Sequence, residues 1–524
     1  MRLSFRAAIV LAICLVGIAL PTAAAQAQGA TIELSPSSGV PGANCTITGQ
    51  NFTASEWVDI YYYLDTTNTT NRIQVKRLTA TSAGRFTVTF TVPESYTGAH
   101  KVRADGEDSG YFDADFAVVP GLTVSPAKGP VGTNVTVKGT GFAKNEKTIE
   151  LRYYLNVTTS ETVKSNISAN ATGSWQTSFV IPPSIKGNHK IDAKGADSSF
   201  AQVNDATFEV TPGISLDKPS GSPGDNVTMT GNGFAASERD ITILFAGEAV
   251  ETEIRADTTG YWRESFGVPE RPKGTYNVTA YGESTPRGAV SAAIFNIMPS
   301  LLLSHGEGHV STNLTVAGGG FAANKDVDVM YDDSKVVPGR TDSKGSFNVT
   351  FAVPKSRHGT RQVTASDTAG NNAAAVFIME SDPPDTPEPI SPPDKSRVGF
   401  IGEVPPTFQW SEVSDDSGVR YSLQVAASAN VTTAGEFAEP LLSKEGLVGT
   451  NYTLNATEAL PYGTYYWIVQ AIDGAENESG WTAAHSFRAG LLPLWAFILG
   501  IVVAVAVVGT LVYFFAIRKR VHYY

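Results

Sequence analysis

Along most of this chain apolar residues fall on every second position, in short runs set off by glycine, proline and asparagine. Val58, Ile60, Tyr62 and Leu64 alternate in this way, and so do Ile149, Leu151, Tyr153 and Leu155. A period of two is the mark of a half-buried β-strand. Before residue 490, outside the first 27 residues, no stretch keeps apolar residues at helical spacing for three turns. The pattern therefore predicts an all-β chain of short strands.

The alternation also repeats at long range. One phrase reads Pro36-x-x-Gly39-x-x-Gly42-x-x-Cys45-Thr46-Ile47-Thr48-Gly49-x-x-Phe52. It returns as Gly132-x-x-Val135-Thr136-Val137-x-Gly139-x-Gly141-Phe142 and as Gly224-x-x-Val227-Thr228-Met229-Thr230-Gly231-x-Gly233-Phe234. A fourth copy, Leu314-Thr315-Val316-x-Gly318-x-Gly320-Phe321, is worn, with Ser311 where the others have glycine. The closing phenylalanines lie 90, 92 and 87 residues apart, which is a small sandwich per repeat rather than a solenoid unit. A second phrase carries Phe86, Trp175, Trp262 and Phe347 and ends on Pro93, Pro182, Pro269 and Pro354. A third opens on Gly98, Gly187, Gly274 and Gly359, with His100, His189, Tyr276 and Arg361 in one column. Because that column varies, it reads as a strand surface.

These phrases resemble IPT/TIG domains, immunoglobulin-like sandwiches whose opening pattern is P-x-x-G-x-x-G-x-x-V-T-I-x-G-x-x-F. The resemblance divides residues 31–119, 121–211, 213–298 and 300–380 into four repeats, the last degenerate. It implies a fold, together with spacer or binding roles in receptors, surface proteins and carbohydrate-active enzymes. A proline-rich stretch at 381–393 reads as an extended linker. Beyond it, Phe408-Gln409-Trp410, Tyr421-x-Leu423-x-Val425 and Gly463-x-Tyr465-x-Trp467-x-Val469-x-Ala471-x-Asp473 resemble a fibronectin type III domain over 385–489, with Trp410 and Trp467 in its core. The fold class expected is all-β: tandem immunoglobulin-like sandwiches plus one C-terminal transmembrane helix.

Both ends carry address signals. Residues 1–27 combine Arg2 and Arg6, the apolar run Ala7–Leu20 and a terminal Ala25-Gln26-Ala27, the form of a cleaved secretory leader. Residues 491–517 are uncharged and long enough to span a bilayer, with Trp495 and Tyr513 near the edges. Arg518, Lys519 and Arg520 open the tail 518–524 and mark its side as cytoplasmic, leaving a tail too short for a signalling domain. The expectation is a type I single-pass protein of the cell membrane with its ectodomain outside the cytoplasm.

Composition narrows the chemistry. The net charge of −12 argues against nucleic acid as a partner. Of the two cysteines, Cys14 lies in the leader, so Cys45 has no intrachain partner; it occupies the inward column of Val135, Val227 and Leu314 and reads as a buried thiol. Fifteen of 24 asparagines open N-x-[S/T] sequons, where chance gives about four. Alternation turns Asn134, Asn226, Asn277, Asn313 and Asn348 outward, and these, with Asn430 and Asn451, are the expected glycosylation sites. Asn44, Asn51, Asn68, Asn156, Asn166, Asn170, Asn455 and Asn477 complete the set.

Motifs for nucleotide, zinc or nucleophilic chemistry are missing, and no catalytic residue, metal ligand set or cofactor is assigned. Four weaker patterns were weighed. His305 and His309 are four apart but lack further ligands nearby in sequence. Asp105, Glu107, Asp108, Asp113 and Asp115 form one acidic group and Asp415-Asp416 another, the only candidates for Ca²⁺. Tyr61 and Tyr63, outward by alternation, could stack on a sugar. The function expected is a non-catalytic envelope stalk that spaces, adheres or binds, engaging a protein or glycan of the envelope. The alternative is a carbohydrate-binding or accessory subunit of a membrane complex.

Overall fold

The computed structural model describes residues 29–68 and 70–517; the expected leader at 1–27 and tail at 518–524 lie outside the described residues. Module one sets the pattern. Its strands are β1 (Thr31–Ser35), β2 (Ser38–Gly39), β3 (Asn44–Gln50), β4 (Trp57–Tyr63), β5 (Arg72–Thr79), β6 (Phe86–Thr91), β7 (Gly98–Gly106) and β8 (Gly110–Val118). They form a three-stranded sheet in the order β1-β3-β6 and a five-stranded sheet in the order β2-β8-β7-β4-β5. Only the β2–β8 pair is parallel. The same two sheets, in the same order, recur in four further modules.

The two glycine phrases keep company because they face each other. Gly49 pairs with Phe86, Gly139 with Trp175, Gly231 with Trp262 and Gly318 with Phe347. A β-carbon on any of these glycines would lie 2.0–2.1 Å from the partner ring, so the ring occupies the glycine's own side-chain space. Each ring then meets the closing phenylalanine edge-on, with centroids 5.1–5.4 Å apart. Phe52, Phe142, Phe234 and Phe321 are buried at the centre of one core per module. The worn start of module four keeps its loop: Ser311 takes φ +70°, near the +86° to +90° of Gly42, Gly132 and Gly224, and its N–H donates to Val353 O at 2.9 Å.

Module five shares this topology, and Trp410 and Trp467 are buried in its core. Its first strand, Pro389–Ser391, pairs with Thr407–Trp410. The proline-rich stretch is therefore linker only in its first part, because 389–391 pairs into the three-stranded sheet of module five. The apolar run at 491–517 is also divided. Leu491 N–H donates to Phe400 O at 2.8 Å and Leu492 bridges to Ile401, so both belong to module five. Helix α1 (Leu494–Val512) follows Pro493 and ends in a π-helical turn, Tyr513–Ile517. Leu494–Ala516 is long and apolar enough to cross a membrane, with mean hydropathy 2.7.

Two expectations about exposed positions fail. His100 and His189 are buried rather than on a strand surface, with His100 fully enclosed. Tyr63 is also buried, at 2% exposure, with the guanidinium groups of Arg103 and Arg72 5.4 Å and 6.0 Å from its ring centroid.

Candidate functional site: the module junctions

Neighbouring modules meet through one repeated backbone hydrogen bond. Thr97 N–H in module one donates to the carbonyl of Phe142 in module two at 3.1 Å. Lys186 to Phe234 at 3.2 Å and Lys273 to Phe321 at 3.1 Å repeat it at the next two boundaries. At the fourth, His358 N–H donates to Ala475 O at 2.7 Å, and Ala475 packs into the module-four core. The acceptor at the first three boundaries is thus the closing phenylalanine itself. Its ring fills the core of one module while its carbonyl receives the module before.

Buried polar side chains fix both partners of that bond. On the donor side, the carbonyl of the same peptide unit is engaged from four residues downstream. His100 Nε2 lies 2.7 Å from Tyr96 O and His189 Nε2 lies 2.7 Å from Ile185 O. Tyr276 OH donates to Pro272 O at 2.8 Å, and Arg361 Nε donates to Arg357 O at 3.0 Å. Tyr465 OH donates to Pro461 O at 3.1 Å in module five. The column varies in identity because several side chains can reach one carbonyl; its constant property is the bond, as in the tyrosine corner of immunoglobulin-like folds. Polarising a peptide at its oxygen strengthens its N–H as a donor.

On the acceptor side a glutamate stands four residues after the phenylalanine. Glu56 accepts from Thr53 N–H at 2.7 Å, Asp108 N–H at 2.8 Å and Ser109 N–H at 3.0 Å, and from the Ser109 hydroxyl. Glu146 ties Ala143 to Asp197 and Ser198, and Glu238 ties Ala235 to Ser284 and Thr285. Burial pushes the Glu56 carboxyl up, but these donors outweigh it and hold the group below its ordinary value. Module four has Lys325 at this position, and Asp367 accepts from Ala322 N–H at 2.9 Å instead. The Phe-x-x-x-Glu spacing was readable in three copies of the sequence but was missed, since a lone glutamate in a loop reads as solvated.

The second glycine of Gly-x-Gly-Phe belongs to the junction. Gly141, Gly233 and Gly320 have φ of +68° to +73°, and a β-carbon there would lie 2.4–3.0 Å from the carbonyl of Val119, Thr211 or Met298, the end of the preceding module. Module one, which follows no sandwich in this sequence, has Asn51 at the same place with φ +63°. Connections are short: strands end at Val118, Val210 and Ile297, and the next begin at Gly121, Gly213 and Ser300. Ion pairs flank the seams, Lys144–Asp65 at 3.7 Å, Lys138–Glu94, Lys344–Glu270 at 3.4 Å and Arg357–Glu476 at 2.5 Å.

The other candidates are dispersed. Three of the five acids in the module-one group are taken up by ion pairs: Arg103–Asp113 at 2.7 Å, Lys101–Asp115 at 3.7 Å and Arg77–Glu107 at 3.1 Å. Cys45 is buried, its thiol 3.4 Å from Pro36 O, and burial pushes the thiol up. His305 turns to Ser304, whereas His309 lies 3.9 Å from Asp416 of module five. Tyr61 lies under Arg72, 4.0 Å from ring centroid to guanidinium. On the same module, Trp57 is 48% and Tyr111 59% exposed, each faced by an arginine, Arg77 at 5.2 Å and Arg103 at 3.6 Å. Asn134, Asn226, Asn277, Asn313, Asn348, Asn430 and Asn451 are all exposed. Asn477 is not: its Nδ2 donates to Asp473 at 2.7 Å and to Glu380 O at 3.2 Å inside the four/five boundary.

By sequence, the IPT/TIG domain family matches residues 122–210, which is module two. No curated protein matches. Among solved structures, the chain is similar to native E. coli alpha-2-macroglobulin, 12% identical over 88% of this chain and 40% of that one, with a TM-score of 0.17. It is similar to the Yersinia pseudotuberculosis adhesin InvE, 10% identical over 32% and 58%, TM-score 0.18. It is also similar to Bacteroides ovatus SGBP-B, solved with a mixed-linkage heptasaccharide, 12% identical over 64% and 91%, TM-score 0.21. The chain spans about 40% of the length of the alpha-2-macroglobulins it matches.

Proposed function

We propose that this protein is a non-catalytic stalk of the cell envelope, anchored by α1 and carrying module one at its far end. The observation behind this reading is the junction. The same backbone bond, glycine and short connection recur at three successive boundaries, which is the economy expected of a part whose task is to hold an angle and a length. Module five runs into the apolar helix through Pro493 alone, so the anchor follows the last sandwich without a free tether. In this reading residues 28–490 lie outside the cytoplasm and Trp495–Ile517 crosses the membrane. Protease added to intact spheroplasts tests it: the ectodomain should be degraded to a small membrane-bound stub, and full protection would refute the topology.

A second reading, that the far end binds a glycan, is favoured by one feature. Trp57 and Tyr111 leave half of their surface open on one sheet face of module one, and their arginines and Asp59 and Asp113 offer hydrogen-bonding groups beside the rings. Aromatic faces with polar groups at their edges suit sugar rings. Polysaccharide affinity electrophoresis of the ectodomain, compared with Trp57→Ala, tests it; equal mobility with and without polysaccharide removes the reading.

A further inference from the structure

The junction between modules four and five differs from the others in what it buries. Modules four and five share a turn motif at the end of an equivalent strand, Asp367 with Asn371 and Asp473 with Asn477. In module four the aspartate is saturated: Oδ1 accepts from Ala369 and Asn371 N–H, both at 2.9 Å, and Oδ2 accepts from Asn371 Nδ2 at 2.8 Å and Ala322 N–H at 2.9 Å. A carboxylate has room for about four such bonds. Asp473, 0% exposed, receives only Asn477 N–H and Nδ2, each at 2.7 Å. Where module four places a backbone N–H, the four/five junction places two more carboxylates, one from each module. Oxygens of Glu380, Asp415 and Asp473 lie within 4.8 Å of one another.

Both oxygens of Glu380 are shut off from solvent and have no hydrogen-bond partner. The Ser417 hydroxyl beside them is already spent, donating to Asp415 at 2.6 Å while accepting from Gly474 N–H at 3.0 Å. Three carboxylates converging from two modules, one of them without a donor, form an arrangement that protein groups alone leave uncompensated.

We propose that the junction of modules four and five binds one Ca²⁺ ion through the carboxylates of Glu380, Asp415 and Asp473. The donor set is all oxygen, which suits a hard cation. Ca²⁺ accepts six to eight oxygens in a flexible geometry, whereas Mg²⁺ demands a near-ideal octahedron, so carboxylates brought together by two docked modules suit the larger ion. Glu380 follows the last strand of module four, while Asp415 and Asp473 sit in module five. The ion therefore clamps the one boundary whose connection, residues 380–388, is long. Asp382 and Asp416 line the open cleft beside the cluster, with Glu307 and His309, and give the ion an acidic path inward.

The test uses the full chain in detergent, stripped with EDTA and titrated with CaCl₂ by calorimetry. One saturable site is expected, with Kd at or below about 1 mM. Glu380→Gln and Asp415→Asn should each weaken it at least tenfold, while Asp115→Asn in module one leaves it unchanged. Ca²⁺ should also slow proteolysis within 381–388 in the parent and not in the two variants. Circular dichroism checks that both variants fold, and Asp415→Asn carries the test if Glu380→Gln does not. No saturable uptake would mean that the cluster holds a proton instead, and undiminished uptake in both variants would place the ion elsewhere. Either result overturns the proposal.

Discussion

Thr97 and Phe142 lie in different sandwiches, yet the N–H of one meets the carbonyl of the other at 3.1 Å, and the peptide carrying that N–H is held from behind by His100. Phe142 is in the same position twice over, as the core of module two and the seat of module one. Stability and spacing are therefore properties of the same residues in this chain.

Phe142→Ala should cost about 3–5 kcal/mol, the usual price of removing a buried phenylalanine. Modules strung on free linkers would confine the damage to module two. The shared bond predicts otherwise: hydrogen exchange at Thr97 N–H, in module one, should accelerate with it, while amides of module five keep their protection. Unchanged exchange at Thr97 would mean that the boundary bond does not couple the two.

Gly141→Ala should loosen the first boundary without emptying a core. Its φ of +73° and a β-carbon 2.6 Å from Val119 O make the substitution strained, by roughly 1–3 kcal/mol. Limited proteolysis should find a new cut near residues 119–121. Asn51→Gly, at the matching site of module one, should leave the cleavage pattern as it was.

How much of this the sequence disclosed depends on which residues are asked. The sandwiches, their cores and the four closing phenylalanines were legible because a period of two and a 90-residue repeat both report burial directly. The junction was written in the same letters but unread: Gly-x-Gly-Phe in modules two to four, against Gly49-Gln50-Asn51-Phe52 in module one, marks the modules that here receive a preceding sandwich. His100 misled because a varied column looks like surface, whereas its requirement is a donor that reaches a carbonyl four residues back. Tyr63 misled because alternation does not show that Arg72 and Arg103 lie over its ring. Glu380, Asp415 and Asp473 are far apart in sequence, and only the docking of two modules brings them together.

Acid should weaken module one through Glu56. Its carboxyl is held below its ordinary value when folded, so the stabilisation is complete above the unfolded glutamate value, about 4.3, and is lost as pH falls through the lower folded value. Glu56→Gln should remove this acid-dependent part, at a cost of about 1–3 kcal/mol for the donors it leaves unpaired. Thermal melts of the two proteins between pH 7 and pH 3 should converge on acidification; parallel curves would show that Glu56 is not the group responsible.

Ser311→Gly should stabilise module four by about 1 kcal/mol, because a residue with a β-carbon at φ +70° carries strain that glycine does not. Urea denaturation followed by an amide in that module measures it. A loss of stability would mean that the serine side chain contributes something worth more than the strain.

Glycan occupancy should follow exposure. In protein from its native host, peptide mass mapping should find modification among Asn134, Asn226, Asn277, Asn313, Asn348, Asn430 and Asn451, and never at Asn477, whose amide is spent inside the four/five boundary. An intact mass equal to that of unmodified residues 28–524 would remove glycosylation from the account, and a glycan on Asn477 would contradict the geometry of that boundary.

Whether the junctions hold the five sandwiches in a line is tested most directly by small-angle X-ray scattering of residues 28–490. Modules roughly 30–40 Å long predict a maximum dimension on the order of 150–200 Å, with a cross-section of a single sandwich. A maximum dimension below about 100 Å, or a profile that requires freely jointed modules, would contradict it.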